Sequence, residues 1–207
     1  MSEPRGTPRD VVDVLLNDSN DQLTDDLISD NMIDLMIPAE DSVPVLLTLA
    51  AKYLSDCPLA LRQLEVPSHM LLVPLCVITE TLRMGNIISG IMRKAMKDVE
   101  IKGHLIPKGW CVFAYFRSVH LDDDLYEEAY CFNPWRWKGK DTGTCGFTPF
   151  GGGRRLCPGL DLARLEASIF LHHLVTGFTW VAEEDHIVNF PTVRMKRRMP
   201  IRVRRKN

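Results

Sequence analysis

The stretch FGGGRRLCPG, running from Phe150 to Gly159, sets a lone cysteine, Cys157, behind three consecutive glycines and two arginines. Periodic apolar residues after Pro158 predict a helix to about Val175, which puts the thiol at a helix N-terminus. Unpaired N–H groups and the positive end of the helix dipole favour a thiolate at such a place. The glycines let the backbone approach a flat ligand and take positive φ angles. Arg155, two residues before the cysteine, is placed to pair with a carboxylate. An isolated cysteine is more commonly a small buried hydrophobe. A glycine-rich loop before a helix also suggests a phosphate cradle, but no G-K-[ST] follows, nor does a G-x-G-x-x-G come after a clear strand.

The elements that must position this loop are readable in outline. Thr24 caps a long helix with Asp25 and Asp26 in its first turn. Leu27, Ile28, Met32, Ile33, Leu35 and Met36 cover much of its circumference, so a deeply buried helix is expected. The pattern continues to about Leu54 past Pro38 and Pro44, where the helix must bend or loosen. A second helix starts after Pro58 (PLALRQLE) and stops in VPSHMLLVPLC, which has neither helical nor strand periodicity. A short helix around Val77 to Met84 carries Glu80 and Arg83, by themselves a common i,i+3 surface pair. Strands follow from Ile87 to Tyr115, punctuated at Lys102-Gly103 and Pro107-Lys108-Gly109. Residues 119–156 read as a long irregular connection, a length that usually signals function. Short strands close the chain, and Ile201 and Val203 alternating with Arg202 and Arg204 suggest a half-buried strand rather than a basic tail for lipid or nucleic acid.

Bulk properties bound the class. The 207 residues suffice for one domain with a sizeable core or two small ones. Apolar content of 45% and charged content of 25% make wholesale disorder a poor reading, and a net charge of −2 says nothing about partners. The six cysteines form no C-x-x-C pair, which argues against a zinc ribbon, a thioredoxin-like motif or a secreted disulfide scaffold. MSEPRGTPRD has no apolar core of a signal peptide, and the longest uncharged runs are too short to span a bilayer.

Phe150, Gly153, Arg155, Cys157 and Gly159 fill every specified position of F-x-x-G-x-R-x-C-x-G, and the string resembles the haem-binding signature of the cytochrome P450 superfamily. Glu80-Thr81-Leu82-Arg83 matches its E-x-x-R helix. Phe132 to Trp137 (FNPWRW) looks like its F-x-P-x-R-F segment, with Trp137 in place of the last Phe. The resemblance implies that Glu80, Arg83 and Arg136 form a buried structural triad holding the irregular connection. Pro38 to Ser42 (PAEDS) stands where the family has A-G-x-[DE]-T, so Asp41 and Ser42 take the proton-relay roles. Pro38, Ala39 and Ser42 depart from that pattern, and serine lacks the methyl that fixes threonine's rotamer. Arg93 and Arg155 correspond to partners of the haem propionates.

The implied fold is mainly α with small β-sheets, the C-terminal half of the cytochrome P450 fold. The implied cofactor is haem b (iron protoporphyrin IX) with Cys157 as axial iron ligand, and the implied reaction is hydroxylation with O2. Electrons would come from an NADPH-dependent flavoprotein reductase, with Arg154, Lys138 and Lys140 as contacts. IPAEDSVPVLLTLAAKYLSDCPLALRQLE and the cysteine stretch resemble the plant brassinosteroid-biosynthetic branch, which implies a sterol-like substrate lined by residues 32–37 and 87–91, on the endoplasmic reticulum membrane. No nucleic acid is implied. The resemblance covers nearly all of the chain but only the C-terminal half of the fold, and VPSHMLLVPLC looks like a deletion junction near residues 65–77. The alternative function is that of a non-catalytic truncated isoform with an incomplete haem and substrate pocket.

Overall fold

The computed structural model describes residues 10–16, 23–66, 72–140, 146–189 and 193–206. The chain divides into two compact units, Met1–Ser42 and Val43–Asn207. The first holds helix α1 (Val11–Leu16) and the beginning of α2 (Asp25–Asp56), which continues into the second. The Thr24 hydroxyl accepts the Leu27 N–H at 3.2 Å, the expected cap. The backbone stays helical through Pro38 and Pro44, so the expected loosening does not amount to a break. Deep burial does not hold for this part of α2. Ile28 is buried, whereas Leu27, Ile33, Leu35 and Met36 are exposed. A helix apolar all round needs neighbours on every side, and the described part of the first unit contains α1 alone beside it.

From Val43 onward α2 does enter a core. Leu46, Ala50 and Leu54, spaced four apart, face one cluster, and Leu49 and Tyr53 face another. The first cluster is built with Ala60 and Leu64 of α3 (Pro58–Leu64), Val77, Ile78 and Leu82 of α4 (Leu72–Gly85), and Ala167, Leu171 and Val175 of α6 (Leu160–Gly177). Each fully buried leucine contributes roughly 1.5–3 kcal/mol. Helix α4 begins at Leu72, earlier than the aperiodic text suggests. Pro74 falls in its first turn, where the missing N–H costs no intrahelical bond. Of the junction region, residues 67–71 lie outside the described residues.

The strands pair as four antiparallel two-stranded sheets. β1 (Gly90–Lys94) pairs with β4 (Cys111–Tyr115), and β2 (Val99–Ile101) with β3 (His104–Ile106). Lys102 and Gly103 between β2 and β3 have φ of 49° and 81°, the left-handed pair of a tight hairpin turn. Helix α5 (Phe116–His120) follows β4. After α6, β5 (Phe178–Ala182) pairs with β8 (Ile201–Arg205), and β6 (Ile187–Val188) with β7 (Arg194–Met195). All five residues of β8 are exposed, so the expected strand forms but is wet on both faces. A two-stranded sheet has no further layer to cover its second face.

Candidate functional site

Among the described residues of 121–157 regular structure is limited to two short 3-10 helices, and α4 anchors the connection that follows α5. Glu80 and Arg83 lie on α4 with fully buried side chains. Arg83 Nε and Nη2 donate to Glu80 Oε2 and Oε1 at 2.9 and 2.7 Å, a bidentate pair. Arg136 sits in the short 3-10 helix Pro134–Trp137, which Asn133 caps by accepting the Trp135 N–H. Its Nε donates to Glu80 Oε1 at 3.0 Å, and its Nη1 donates to the Glu127 carbonyl at 2.9 Å. Glu80 also accepts from the Asn133 N–H at 3.0 Å and from Trp137 Nε1 at 2.8 Å. The indole N–H is a donor that a phenylalanine at position 137 lacks. Arg83 Nη1 donates to the carbonyls of His120 and Ala129 at 2.8 and 2.7 Å, which fixes both ends of the first turn of the connection. The structure thus brings Glu80, Arg83 and Arg136 together around one carboxylate.

Two residues with no motif continue this network. Asn86, at φ 44° just beyond α4, donates from Nδ2 to the Arg83 carbonyl at 2.6 Å. Its Oδ1 lies 2.7 Å from Nδ1 of buried His120, and His120 Nε2 accepts the Thr148 N–H at 3.0 Å. A backbone donor at Nε2 requires that nitrogen to be unprotonated, so the proton sits on Nδ1 and points at Asn86. Burial, with the Arg83 cation nearby, lowers the His120 pKa from 6.5 to about 4. The folded state therefore prefers the neutral ring, and the unfolded chain takes up the proton first as pH falls. The stability this confers is complete above 6.5 and is lost as pH falls through about 4; it amounts to roughly 3 kcal/mol at most. Urea unfolding over that pH range should show the decline, and His120→Gln, which cannot titrate, should flatten it.

Thr148 leads into the cysteine loop. The Gly151 N–H donates to the Thr148 carbonyl at 3.0 Å, and the Cys157 N–H donates to the Phe150 carbonyl at 3.0 Å, folding the loop back on itself. Gly151 and Gly153 have φ of 75° and 64°, which side chains resist. Gly152 differs: its backbone is extended, and a Cβ there meets nothing within 4 Å. The chain's own packing therefore does not require glycine at 152, as expected where a flat group lies against the backbone. Cys157 is exposed and free. α6 starts at Leu160, so the thiol precedes the helix by a turn instead of sitting on its first residue, with Gly159 as the cap. Arg154 and Arg155 are exposed. Phe150 is half-buried beneath the Arg164 guanidinium, 5.6 Å from the ring centroid. An exposed thiol, a bare glycine surface and an exposed cation fit a flat anionic metal-bearing macrocycle.

The remaining candidates lie on separate elements. Arg93 is exposed on β1, its Nη1 turned to the Met92 carbonyl at 2.9 Å. Asp41, exposed, and Ser42, half-buried, close the first unit on α2. On α2, Met32 is half-buried and Ile37 exposed, and in the second unit Ile87 packs into both core clusters while Ile88 is exposed. Lys138 and Lys140 are exposed beside the 3-10 helix. Among the described residues no helix is long and apolar enough to cross a membrane.

The cytochrome P450 family model matches residues 67–200. Cytochrome P450 90D2 of Oryza sativa subsp. japonica is 71% identical over 215 residues, covering 95% of this chain and 44% of the relative. The 3-epi-6-deoxocathasterone 23-monooxygenase CYP90D1 of Arabidopsis thaliana is 61% identical, again covering 95% of this chain and 44% of the relative. Among solved structures, retinoic acid-bound cyanobacterial CYP120A1 superimposes with a TM-score of 0.83 at 24% identity, covering 98% of this chain and 52% of that one. The structural likeness speaks for the fold. The chain spans less than half the length of the curated relatives it matches.

Proposed function

The chain belongs to the cytochrome P450 family, and on that premise we propose that it is the haem-holding, C-terminal part of a steroid monooxygenase of brassinosteroid biosynthesis. The observation that carries the substrate class is the 61% identity, across 95% of the chain, to a relative named for 23-hydroxylation of 3-epi-6-deoxocathasterone.

Family membership implies haem held by a cysteine thiolate, and in this reading Cys157 is that ligand to haem b. When bound, the thiolate-ligated haem supplies activation of O2 for insertion into an unactivated C–H bond. Phe150, Gly153 and Gly159 shape the loop so that the Cys157 sulfur stands clear of the backbone. Arg155 and Arg93 are cations for the propionates. Asp41 and Ser42 would hold and pass protons, the carboxylate drawing them from solvent and the hydroxyl delivering them. Glu80, Arg83 and Arg136 hold the connection and take no part in proton or electron transfer. Arg154, Lys138 and Lys140, each exposed, are the cations this reading assigns to contact with an NADPH-dependent flavoprotein reductase at the endoplasmic reticulum membrane.

A second reading is a non-catalytic partial polypeptide with an incomplete haem and substrate pocket, with which the 44% coverage of the relatives is consistent. An internal loss near residues 65–77 of the partial domain fits the same picture. The aperiodic VPSHMLLVPLC motivates it, alongside an alignment of 215 positions that is longer than the 207-residue chain.

One experiment addresses both readings. The chain is assayed by itself and as a replacement for the matched C-terminal part of the rice relative, with reductase, NADPH and 3-epi-6-deoxocathasterone. The chimaera is expected to give hydroxylated product and the chain alone none. A haem-loaded chimaera without product would overturn the steroid assignment, and product from the chain alone would overturn the second reading.

A further inference from the structure

The cysteine loop poses a mechanical problem. Residues 151–153 are all glycine, and a loop this free in φ and ψ does not by itself hold a sulfur at a fixed point. Its internal bonds, Gly151 N–H to the Thr148 carbonyl at 3.0 Å and Cys157 N–H to the Phe150 carbonyl at 3.0 Å, fix its shape but not its place. Placement needs ties to other elements. Tyr126 Oη donates to the Gly146 carbonyl at 2.8 Å, and Thr148 N–H donates to His120 Nε2 at 3.0 Å. The second tie is the stiffer. His120 is fully buried, its carbonyl accepts from Arg83 at 2.8 Å, and its Nδ1 is 2.7 Å from Asn86 Oδ1. Its ring lies 5.5 Å from that of Phe147, which in turn lies 4.7 Å from Trp137. An unbroken path of hydrogen bonds therefore runs from Glu80 through Arg83, Asn86, His120 and Thr148 to the turn that carries Phe150 and Cys157.

We propose that His120 is a positioning residue for Cys157, the rigid link through which the charge triad on α4 fixes where the cysteine loop presents its sulfur. This deepens the haem-thiolate reading and rests on it, and it assigns the imidazole no contact with haem, substrate or reductase. The link depends on geometry at both nitrogens. Asn86 fixes the ring so that Nδ1 carries the proton, which leaves Nε2 as an acceptor for Thr148. A bulky side chain that merely filled the same space would support Phe147 but would leave the Thr148 N–H without its acceptor.

Two substitutions separate positioning from filling. In His120→Gln the side-chain oxygen reaches the place of Nε2 and keeps an acceptor for Thr148. In His120→Asn the shorter side chain reaches only the place of Nδ1, keeping Asn86 and losing Thr148. The readouts on this chain are amide hydrogen exchange at Thr148, Gly151 and Cys157 and, after reconstitution with haem, the share of the reduced carbon monoxide complex that absorbs at the thiolate Soret position. His120→Asn is expected to lower protection at the three amides about tenfold, the loss of one buried hydrogen bond, and to move most of the complex away from the thiolate position. His120→Gln gives up the Asn86 bond but keeps the acceptor for Thr148, so it is expected to lose only a small part of the amide protection and to keep most of the thiolate share. Asn86→Gly suits the positive φ of that residue and frees the ring, so it should lower Thr148 protection by a smaller factor, and it serves as the test where the asparagine variant does not fold. The proposal is overturned if His120→Asn keeps its amide protection and its thiolate share, or if His120→Gln loses as much as His120→Asn. If the unmutated chain takes up no haem, the haem reading fails for this polypeptide, and the amides alone decide whether His120 places the loop.

Discussion

Replacing Glu80 by alanine is expected to destabilise the second unit by roughly 3–5 kcal/mol, the range for breaking a buried ion pair from one side. The side chain is fully buried and accepts five hydrogen bonds, two from Arg83 and one each from Arg136, Asn133 and Trp137. Removing it leaves the Arg83 guanidinium with the carbonyls of His120 and Ala129 but no counter-anion at 0% exposure. Three segments lose their common anchor at once, because α4, the 3-10 helix at Pro134–Trp137 and the turn at Asn133 all meet at this carboxylate. Glu80→Gln is expected to do nearly as badly. Its amide nitrogen turns a donor toward groups that are all donors, so shape alone does not rescue it. Urea unfolding monitored by tryptophan fluorescence measures the loss directly, since Trp135 and Trp137 lie in the anchored segment. A loss below about 1 kcal/mol, the scale of an exposed pair, would mean that the triad does not hold the connection.

The sequence makes some of this arrangement legible and hides the rest for physical reasons. The cysteine loop is legible because its constraints are local: positive φ at Gly151 and Gly153 and the Gly159 cap are properties of neighbours in the chain. The Lys102-Gly103 hairpin and the Thr24 cap are readable for the same reason. Glu80 and Arg83 read in isolation as a surface pair, since their burial is decided by Asn133, Arg136 and Trp137, more than fifty residues away. His120 is invisible in FRSVHLDD. Nothing near it predicts that one nitrogen will meet Asn86 and the other the Thr148 amide. The apolar surface of α2 shows the opposite failure. Leu27, Ile33, Leu35 and Met36 state what needs covering, but composition carries no information about what covers it. Pro74 misleads in a further way, because a proline in VPSHMLLVPLC reads as a breaker until its place in the first turn of α4 is known.

The second large effect concerns Cys157 itself. Its exposed sulfur stands at the end of a loop that is folded back through the Phe150 carbonyl and open on its glycine side. Alanine at 157 keeps the N–H that bonds Phe150, so the loop should retain its shape while losing the one atom able to bind iron there. The expected consequence is loss of thiolate ligation without loss of fold. The most direct measurement is the reduced carbon monoxide difference spectrum of the haem-loaded chimaera with the rice relative, with and without Cys157→Ala. A Soret band at the thiolate position is expected in the unsubstituted protein, and its complete loss in Cys157→Ala, with far-UV circular dichroism unchanged. A thiolate band that survives the substitution would show that another residue binds the iron, and would contradict the assignment of Cys157 as the haem ligand.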